Sequence, residues 1–264
     1  NEKDANLILT TTKTREQLVW HPLQWIAHFN LVDQSHPELR LSLNRLCQWL
    51  AATAKLDYFI IDPLKADVAN LTRIMSQEFA VKNRILAVEV HADRVVIGTD
   101  QPFYFAWEQD LFATLKGKKI ETVFLNPEQL TRYLNEYYQV SRAVNSAQGL
   151  SAFKSDKGVE ALLQLGDISN NPDANDQHIV RIVDWVLQFA FEQGASDIHL
   201  EPRKDNGRVR FRIDGVLHNI YEMPSNILIA VVARLKILGR MNVAEKRKPQ
   251  DGRLKTRTPK GAET

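Results

Sequence analysis

The sequence predicts an α+β protein made of two small α/β domains joined by a polar linker. Stretches with strand-like alternation and stretches with helical periodicity occur on both sides of residues 141–175, which are polar, small and short of core residues. With 264 residues, 44% of them hydrophobic, the chain is long enough for two soluble domains. We therefore expect a first domain at 1–140, a linker at 141–175 with room for one short helix, and a second domain at 176–264.

The elements of the first domain follow from periodicity and capping residues. Two apolar clusters, LVWHPLQWIAHF and LSLNRLCQWLAATA, and residues 68–79 have helical character, and RILAVEVHADRVVIGTDQP alternates as two strands around a turn. A helix in FYFAWEQDLFATLKG that ends at Gly117 and a strand in KIETVFL come next. The last helix, NPEQLTRYLNEYY, is expected to have Asn126 as its N-cap and Pro127 in its first position.

The second domain begins with a helix near Asp176 that Gly194 closes. Its apolar residues form one stripe, which consists of Ile179, Ile182, Val183, Val186 and Ala190. Strands in SDIHLEP, GRVRFRID and VLHNIY, a helix in PSNILIAVVARLKILGRM, a turn in PQDG and a strand in RLKTRT follow. This order predicts helices packed on an antiparallel sheet.

The segment GRVRFRIDG concentrates positive charge in a chain whose net charge is only +2. In a strand, its three arginines, Arg208, Arg210 and Arg212, share one face, and the apolar residues between them share the other. Asp214 and Gly215 supply a turn to the next strand. Two roles fit this face: a bidentate clamp for an anion such as phosphate, or cross-strand ion pairs with the acids of SDIHLEP, Asp197 and Glu201. The spacing alone does not choose between them.

Composition restricts the remaining function classes. The 34 Lys and Arg residues nearly cancel the 32 Asp and Glu residues, so the overall charge does not favour a nucleic-acid or lipid partner. Cys47 is the single cysteine and predicts a buried, inert thiol, and the seven histidines have no metal-ligand spacing. His199 is more typical of a structural residue than of a catalyst, and Glu245–Lys248 of a solvated face. Without an apolar run of membrane-spanning length or a signal peptide, the expected location is cytoplasmic.

Three runs, ASDIHLEP, RFRIDGVL and RLKILGRMNVAEKRKPQDGR, closely resemble the second N-terminal domain of the secretion ATPase superfamily. This superfamily contains the type II secretion ATPases (general secretion pathway protein E) and the type IV pilus assembly ATPases. FIIDPLKADV, the LAVEVHADRVVIGTDQP hairpin and YLNEYY resemble, more loosely, the first N-terminal domain of the same family. The resemblance implies that the chain is cut before a RecA-like ATPase domain.

The family is a hexameric motor that hydrolyses ATP to drive pilus or pseudopilus assembly. The resemblance implies that the first domain docks on the cytoplasmic part of an inner-membrane platform protein, which gives a peripheral location. It implies that the second domain is PAS-like, packs on the ATPase domain and lends arginines to the ATP phosphates. The family's RxRxDG strand falls on residues 210–215, so Arg210 is the first candidate for a phosphate contact and Arg212 the second, with supporting acids Asp197, Glu201 and Asp214.

The chain departs from the family where catalysis is concerned. A phosphate loop of the form GxxxxGK[ST] is absent, and the only Gly-Lys pair, Gly117-Lys118, lacks its spacing. Ser225 and Asn226 stand where some members have a further arginine. We therefore expect ATP and Mg²⁺ to belong to the full-length parent, and this chain by itself to be inactive, with no catalytic residue and no metal site.

Three functions remain open at this point. The first is the regulatory and docking region of a type II secretion ATPase, with a type IV pilus extension ATPase as the alternative. The second is a stand-alone protein-binding adaptor. The third is a cyclic di-GMP sensor, which the sequence does not favour because the first 140 residues lack the RLGxxL motif of some relatives.

Overall fold

The computed structural model of the chain describes residues 2–34, 36–115, 117–156 and 176–256. The chain divides into two units, and both contain helices and strands, which confirms the α+β class. The first unit comprises Asn1–Asp62 with Asn70–Asn135, and the second comprises Pro63–Ala69 with Glu136–Thr264.

The first unit contains a four-stranded mixed sheet in the order β1-β4-β3-β2. The predicted hairpin and the following strand are confirmed, since β2 pairs antiparallel with β3 and β4 runs parallel to β3 and β1. A core cluster of Leu23, Leu46, Cys47, Ala51 and Phe124 joins the helices to this sheet. The elements as far as the last strand of the sheet are α1 (Glu2–Thr10), α2 (Pro22–His28), α3 (Leu43–Ala54), β1 (Tyr58–Phe59), α4 (Val68–Leu71), α5 (Gln77–Asn83), β2 (Ile85–Val90), β3 (Arg94–Thr99), α6 (Trp107–Thr114) and β4 (Lys119–Leu125).

Two helix predictions in this part were wrong in extent. Residues 68–79 form the short helix α4 and the start of α5 instead of one continuous helix, because the Ser76 side chain accepts a hydrogen bond from the Phe79 N–H and caps a new helix. The helix expected in FYFAWEQDLFATLKG begins at Trp107, so Phe103–Phe105 precede it.

Helix α7 (Pro127–Asp156) begins as predicted and ends much later. The Asn126 side chain accepts a hydrogen bond from the Glu128 N–H at 2.8 Å, which caps the helix. Residues 141–156 of the expected linker are helical, and residues 157–175 lie outside the described residues. The helix continues because no glycine or proline interrupts residues 128–148, and because Val140, Ala143, Val144 and Ala147 are buried along one stripe.

The second unit contains a three-stranded antiparallel sheet in the order β5-β6-β7. The apolar stripe predicted for its first helix is buried in full, together with Phe189. Val209 and Phe211 of the central strand and Ile227 and Val231 of the last helix are also fully buried. This arrangement confirms helices packed on an antiparallel sheet. The elements are α8 (Gln177–Glu192), β5 (Asp197–Glu201), β6 (Asn206–Ile213), β7 (Val216–Pro224) and α9 (Ser225–Leu238).

Two glycines at the ends of β6 have structural roles. At the turn to β7, Asp214 and Gly215 have φ angles of +48° and +80°, which are typical of the two central residues of a type I′ turn. At the other end, a Cβ atom on Gly207 would lie 2.8 Å from the Leu228 Cβ atom, so glycine allows α9 to approach the strand.

The strand predicted in RLKTRT is not present in the described residues. Residues 251–256 have no regular secondary structure, and residues 257 and 258 lie outside the described residues. The alternation in this segment was present, but a strand also needs a partner to receive its backbone hydrogen bonds.

Candidate functional site

The three arginines of β6 lie on the face of the sheet opposite the core. Val209 and Phe211, which alternate with them, are fully buried beneath α8 and α9. The arginine side chains keep about a third of their surface exposed: 37% for Arg208, 29% for Arg210 and 35% for Arg212. We call these three residues the arginine face. Period-two alternation in β6 is the direct cause of this arrangement.

The two outer arginines pair with acids directly opposite them. Arg212 is in register with Asp197 of β5, and its Nε atom lies 3.1 Å from Asp197 Oδ2. Arg208 is in register with Glu222 of β7, and its Nε donates to Glu222 Oε1 at 2.7 Å. The cross-strand ion pair with Asp197 that the sequence allowed is therefore formed, whereas Glu222 was not among the acids that the sequence indicated.

Arg210 occupies a different electrostatic position. Its register partner on β5 is His199, and a bulge between Val209 and Arg210 makes Asn219 its partner on β7. Neither residue is an acid. The Arg210 guanidinium instead donates through Nε, at 3.0 Å, and through Nη2 to Oε1 of Glu201, which is in register with Arg208. The central arginine thus takes its acid diagonally.

Glu201 connects two cations. Its Oε1 accepts from Arg210, and its Oε2 accepts from Arg203 Nη2 at 3.4 Å. These contacts lower the pKa of Glu201, chiefly through the hydrogen bond from Arg210. Sequence reasoning placed Glu201 in the site but missed Arg203, which lies two residues further along the chain in the motif EPRKD.

The other predicted residues have smaller roles in this geometry. Asp214 lies in the hairpin turn and makes no ion pair with any described residue, so its supporting role stays a prediction. His199 Nε2 is buried without a hydrogen-bond partner among the described residues. Its expected character as a hydrogen-bonded structural residue is therefore not seen at this atom.

The Glu245–Lys248 segment, which was expected to be a solvated face, also makes hydrogen bonds within itself and to α9. The Glu245 carboxylate accepts hydrogen bonds from the backbone N–H groups of Arg247, at 2.6 Å, and Lys248, at 3.1 Å. These two bonds lower the pKa of Glu245. Lys236 Nζ, from α9, donates to the Glu245 carbonyl oxygen at 2.6 Å, which ties the segment to the helix.

The guanidinium groups of the arginine face have the hydrogen-bond donors that an anion requires. A guanidinium presents five N–H donors, and Arg210 has donors beyond the Glu201 contact. Within the residues that the structure describes, no three His, Cys, Asp or Glu side chains are placed to hold a metal ion. None of the helices in the described part of the chain combines the length and apolar character that crossing a bilayer requires.

Comparison with known proteins gives two domain matches and a match along the whole chain. Residues 172–263 match the family described as Type II/IV secretion system protein, and residues 54–144 match the MshEN domain. TfpB, a type IV pilus assembly ATPase of Acinetobacter baylyi, is 67% identical over 265 residues, which cover 100% of this chain and 45% of TfpB. Residues 172–263 therefore belong to the type II/IV secretion system protein family, and residues 54–144 to the MshEN domain family.

A type II secretion protein and a solved structure also match this chain. The type II secretion system protein E of Xanthomonas campestris pv. campestris is 41% identical over 99 residues, which cover 35% of this chain and 18% of that protein. A solved structure described as "Structure of MshE with cdg" matches with a TM-score of 0.36 and 17% identity, and covers 52% of this chain and 90% of that chain. The chain spans less than half the length of the two curated secretion relatives. Its resemblance to the secretion ATPases is confirmed.

Proposed function

We propose that this chain is the regulatory and docking region of a hexameric secretion ATPase that acts at the cytoplasmic side of the inner membrane. The observation that carries the proposal is the 67% identity, along the whole chain, to a type IV pilus assembly ATPase. Motif reasoning favoured type II secretion as the process served. This identity instead favours pilus extension, and type II secretion becomes the alternative.

Two residues of the arginine face, Arg210 and Arg212, are proposed to contact the ATP phosphates of the motor. Arg210 is the first candidate because neither of its register partners is an acid. Arg208 and Arg212, in contrast, each form an ion pair with an acid directly opposite. Arg212 is the second candidate, although its Nε pairs with Asp197 and its Nη1 donates to the Gly215 carbonyl oxygen at 3.2 Å. ATP and Mg²⁺ are proposed to bind the parent protein's ATPase domain, since this chain contains no phosphate loop.

Replacement of Arg210 by alanine in the full-length protein tests this role. We expect ATP turnover to fall by roughly one to two powers of ten, because loss of a charge-assisted hydrogen bond costs about 1.5–3 kcal/mol. Arg208→Ala is the matched control, because it removes an arginine from the same strand face and an exposed ion pair, and it should retain most of the activity. Steady-state phosphate release measures both variants.

The outcomes separate the proposal from the adaptor alternative. Turnover in Arg210→Ala equal to that of the unmodified protein would contradict the phosphate contact and leave only the ion pairs. A full-length protein with no ATP turnover at all would favour a stand-alone protein-binding adaptor.

A second candidate function concerns cyclic di-GMP. The missing RLGxxL motif argues against this ligand, but the match of residues 54–144 to the MshEN domain puts that argument in doubt. Isothermal titration of the chain with cyclic di-GMP decides the matter. Saturable heat would assign a sensor role to the first unit, and its absence would support the expectation from the missing motif.

The first unit is also proposed to dock on the cytoplasmic domain of an inner-membrane platform protein. It exposes three consecutive aromatic residues, Phe103, Tyr104 and Phe105, ahead of α6 and a further one, Phe112, on α6. Exposed apolar side chains grouped in this way are typical of protein-binding surfaces.

A further inference from the structure

Glu201 is the one acid that binds Arg210 among the described residues, and it does so from outside the strand register. The register partners of Arg210 are His199 and Asn219, so the local sheet geometry supplies it with no carboxylate. Arg208, which is in register with Glu201, pairs with Glu222 instead. The strand register therefore does not impose the contact between Arg210 and Glu201, because the register would place Glu201 beside Arg208.

This contact uses only part of the hydrogen-bonding capacity of the arginine. Nε and Nη2 of Arg210 both donate to the same oxygen, Glu201 Oε1, and Nη1 has no partner among the described residues. The two side chains are 29% and 27% exposed. Ion pairs with this degree of exposure are weak, and a phosphate group can accept from the guanidinium in a bidentate manner.

The carboxylate of Glu201 has a second cation available. Arg203 Nη2 lies 3.4 Å from Glu201 Oε2, the oxygen that Arg210 does not use. If Arg210 turned to another anion, Glu201 would keep a positive partner. Exchange of Arg210 between two anions would then not leave an isolated charge.

We propose that Glu201 is an exchangeable counter-ion that holds Arg210 when no phosphate is bound and keeps only its contact with Arg203 when a phosphate group binds Arg210. Glu201 therefore competes with the phosphate and lowers the affinity of the arginine face for it. This inference rests on the proposed phosphate role of Arg210. If Glu201 is a competing counter-ion, its loss should strengthen phosphate binding. If Glu201 only oriented Arg210, its loss would weaken phosphate binding.

Titration of the full-length protein with the tripolyphosphate ion, at fixed ionic strength and without Mg²⁺, tests the inference. Glu201→Gln removes the competing charge with little change of shape, and we expect it to raise tripolyphosphate affinity by about two- to fivefold. Glu222→Gln is the matched control, because it removes the same charge from the same sheet face at the acid that pairs with Arg208. The gain in Glu201→Gln should exceed the gain in Glu222→Gln.

Arg210→Ala separates failure of this inference from failure of the phosphate role. If Arg210→Ala lowers tripolyphosphate affinity but Glu201→Gln does not raise it above the Glu222→Gln control, the counter-ion role is wrong and the phosphate role survives. If Arg210→Ala binds tripolyphosphate as the unmodified protein does, or no variant binds it, the phosphate contact and the counter-ion role are both overturned.

A second readout follows Glu201 directly. Its pKa is lowered mainly by the Arg210 hydrogen bond, so carbon NMR should show that pKa rising toward its ordinary value when tripolyphosphate is added. In Arg210→Ala the pKa should be higher from the start and should not respond to tripolyphosphate. A Glu201 pKa that stays low in the saturated, unmodified protein would overturn the exchange.

Discussion

A bulge in a strand ladder distinguishes Arg210 from its neighbours. The bulge between Val209 and Arg210 removes one residue of β7 from the register, so Asn219 becomes the partner of Arg210. Neither Asn219 nor Ile220, the residue that the bulge takes out of register, is an acid, so Arg210 has no carboxylate directly opposite it on β7. Arg210 therefore has neutral register partners and takes its one acid among the described residues, Glu201, diagonally.

The first unit contains an ion pair at the end of β3 in which the acid is buried and the arginine is partly exposed. Asp100 is fully buried, and Arg84 Nε donates to both oxygens of its carboxylate at 2.9 Å. His21 lies beside this pair: its Nε2 is 3.1 Å from the Asp100 carbonyl oxygen, and its Nδ1 accepts from the Leu23 N–H at 3.2 Å. The two contacts together require the neutral ring with the proton on Nε2.

His21 should make the stability of the chain pH-dependent. Burial is the main cause that lowers its pKa below 6.5, with the Arg84 charge acting in the same direction and Asp100 in the opposite one. The unfolded chain therefore binds this proton more readily, and the free energy of unfolding falls as the pH drops below about 6.5 toward the lower pKa of the folded state. The His21→Asn variant keeps an N-cap acceptor but has no titrating ring at this position. The fall in unfolding free energy that His21 causes at acidic pH should therefore disappear in this variant.

Urea unfolding between neutral and mildly acidic pH measures the effect. The quantity to compare is the change in unfolding free energy with pH, so that a constant offset between variants does not matter. His28→Asn, at the last position of the same helix, is the control and should not remove the loss. Parallel pH curves for the unmodified chain and His21→Asn would contradict the prediction.

Sequence patterns predicted the members of the arginine face better than their pairing. Alternation placed Arg208, Arg210 and Arg212 on one side and the acids of β5 within reach, because the strand period is fixed. The diagonal direction of the contact to Glu201 was not predictable, since the register places Glu201 opposite Arg208 and the contact depends on side-chain direction. The contribution of Arg203 depends on side-chain direction in a loop, which periodicity does not describe.

At the level of elements, the buried faces of helices and strands were easier to predict than the residues at which the elements end. The apolar stripe of α8 and the hairpin of β2 and β3 were predicted because many residues contribute to each pattern. The end of α7 was missed because residues 141–148 are small and polar by composition, although Val140, Ala143, Val144 and Ala147 are buried. A helix can continue on a narrow stripe of small residues when another element packs against it.

Residues 68–79 were predicted as one helix but form parts of two, and a capping serine explains this difference. Their apolar spacing fits one helix, but a serine side chain that accepts a backbone N–H favours a new helix start over a continuous ladder. The RLKTRT segment shows the same limit for strands, because alternation there did not guarantee a pairing partner. A hydrophobic pattern does not describe local competition of this kind.

At the scale of the whole molecule, the two units would serve different partners of one motor. The second unit carries the arginine face, which is proposed to meet nucleotide phosphates. The first unit carries the exposed aromatic segment Phe103–Phe105, which is proposed to meet the platform protein. A chain of this kind would couple nucleotide state to membrane attachment, provided that both surfaces are used in the same full-length protein.

The aromatic segment is held in place by its own turn. Trp107 is buried, and its indole N–H donates to the Tyr104 carbonyl oxygen at 3.0 Å, while the Tyr104 N–H donates to the Gln101 carbonyl oxygen at 3.1 Å. Phe103 is nonetheless 70% exposed and Phe105 39% exposed. An ordered turn that displays aromatic rings loses little conformational entropy when a partner covers them.

Replacement of Phe103 and Phe105 by serine should therefore weaken docking without destabilising the unit. We expect affinity for the cytoplasmic domain of the platform protein to fall by about 30-fold or more, because aromatic residues central to an interface contribute about 2 kcal/mol or more. Biolayer interferometry measures the affinity, and the thermal unfolding temperature should be nearly unchanged. Trp49→Ser, at an aromatic residue of α3 that is 61% exposed, is the matched control. An equal loss in that control, or unchanged affinity in the double variant, would remove this segment from the docking surface.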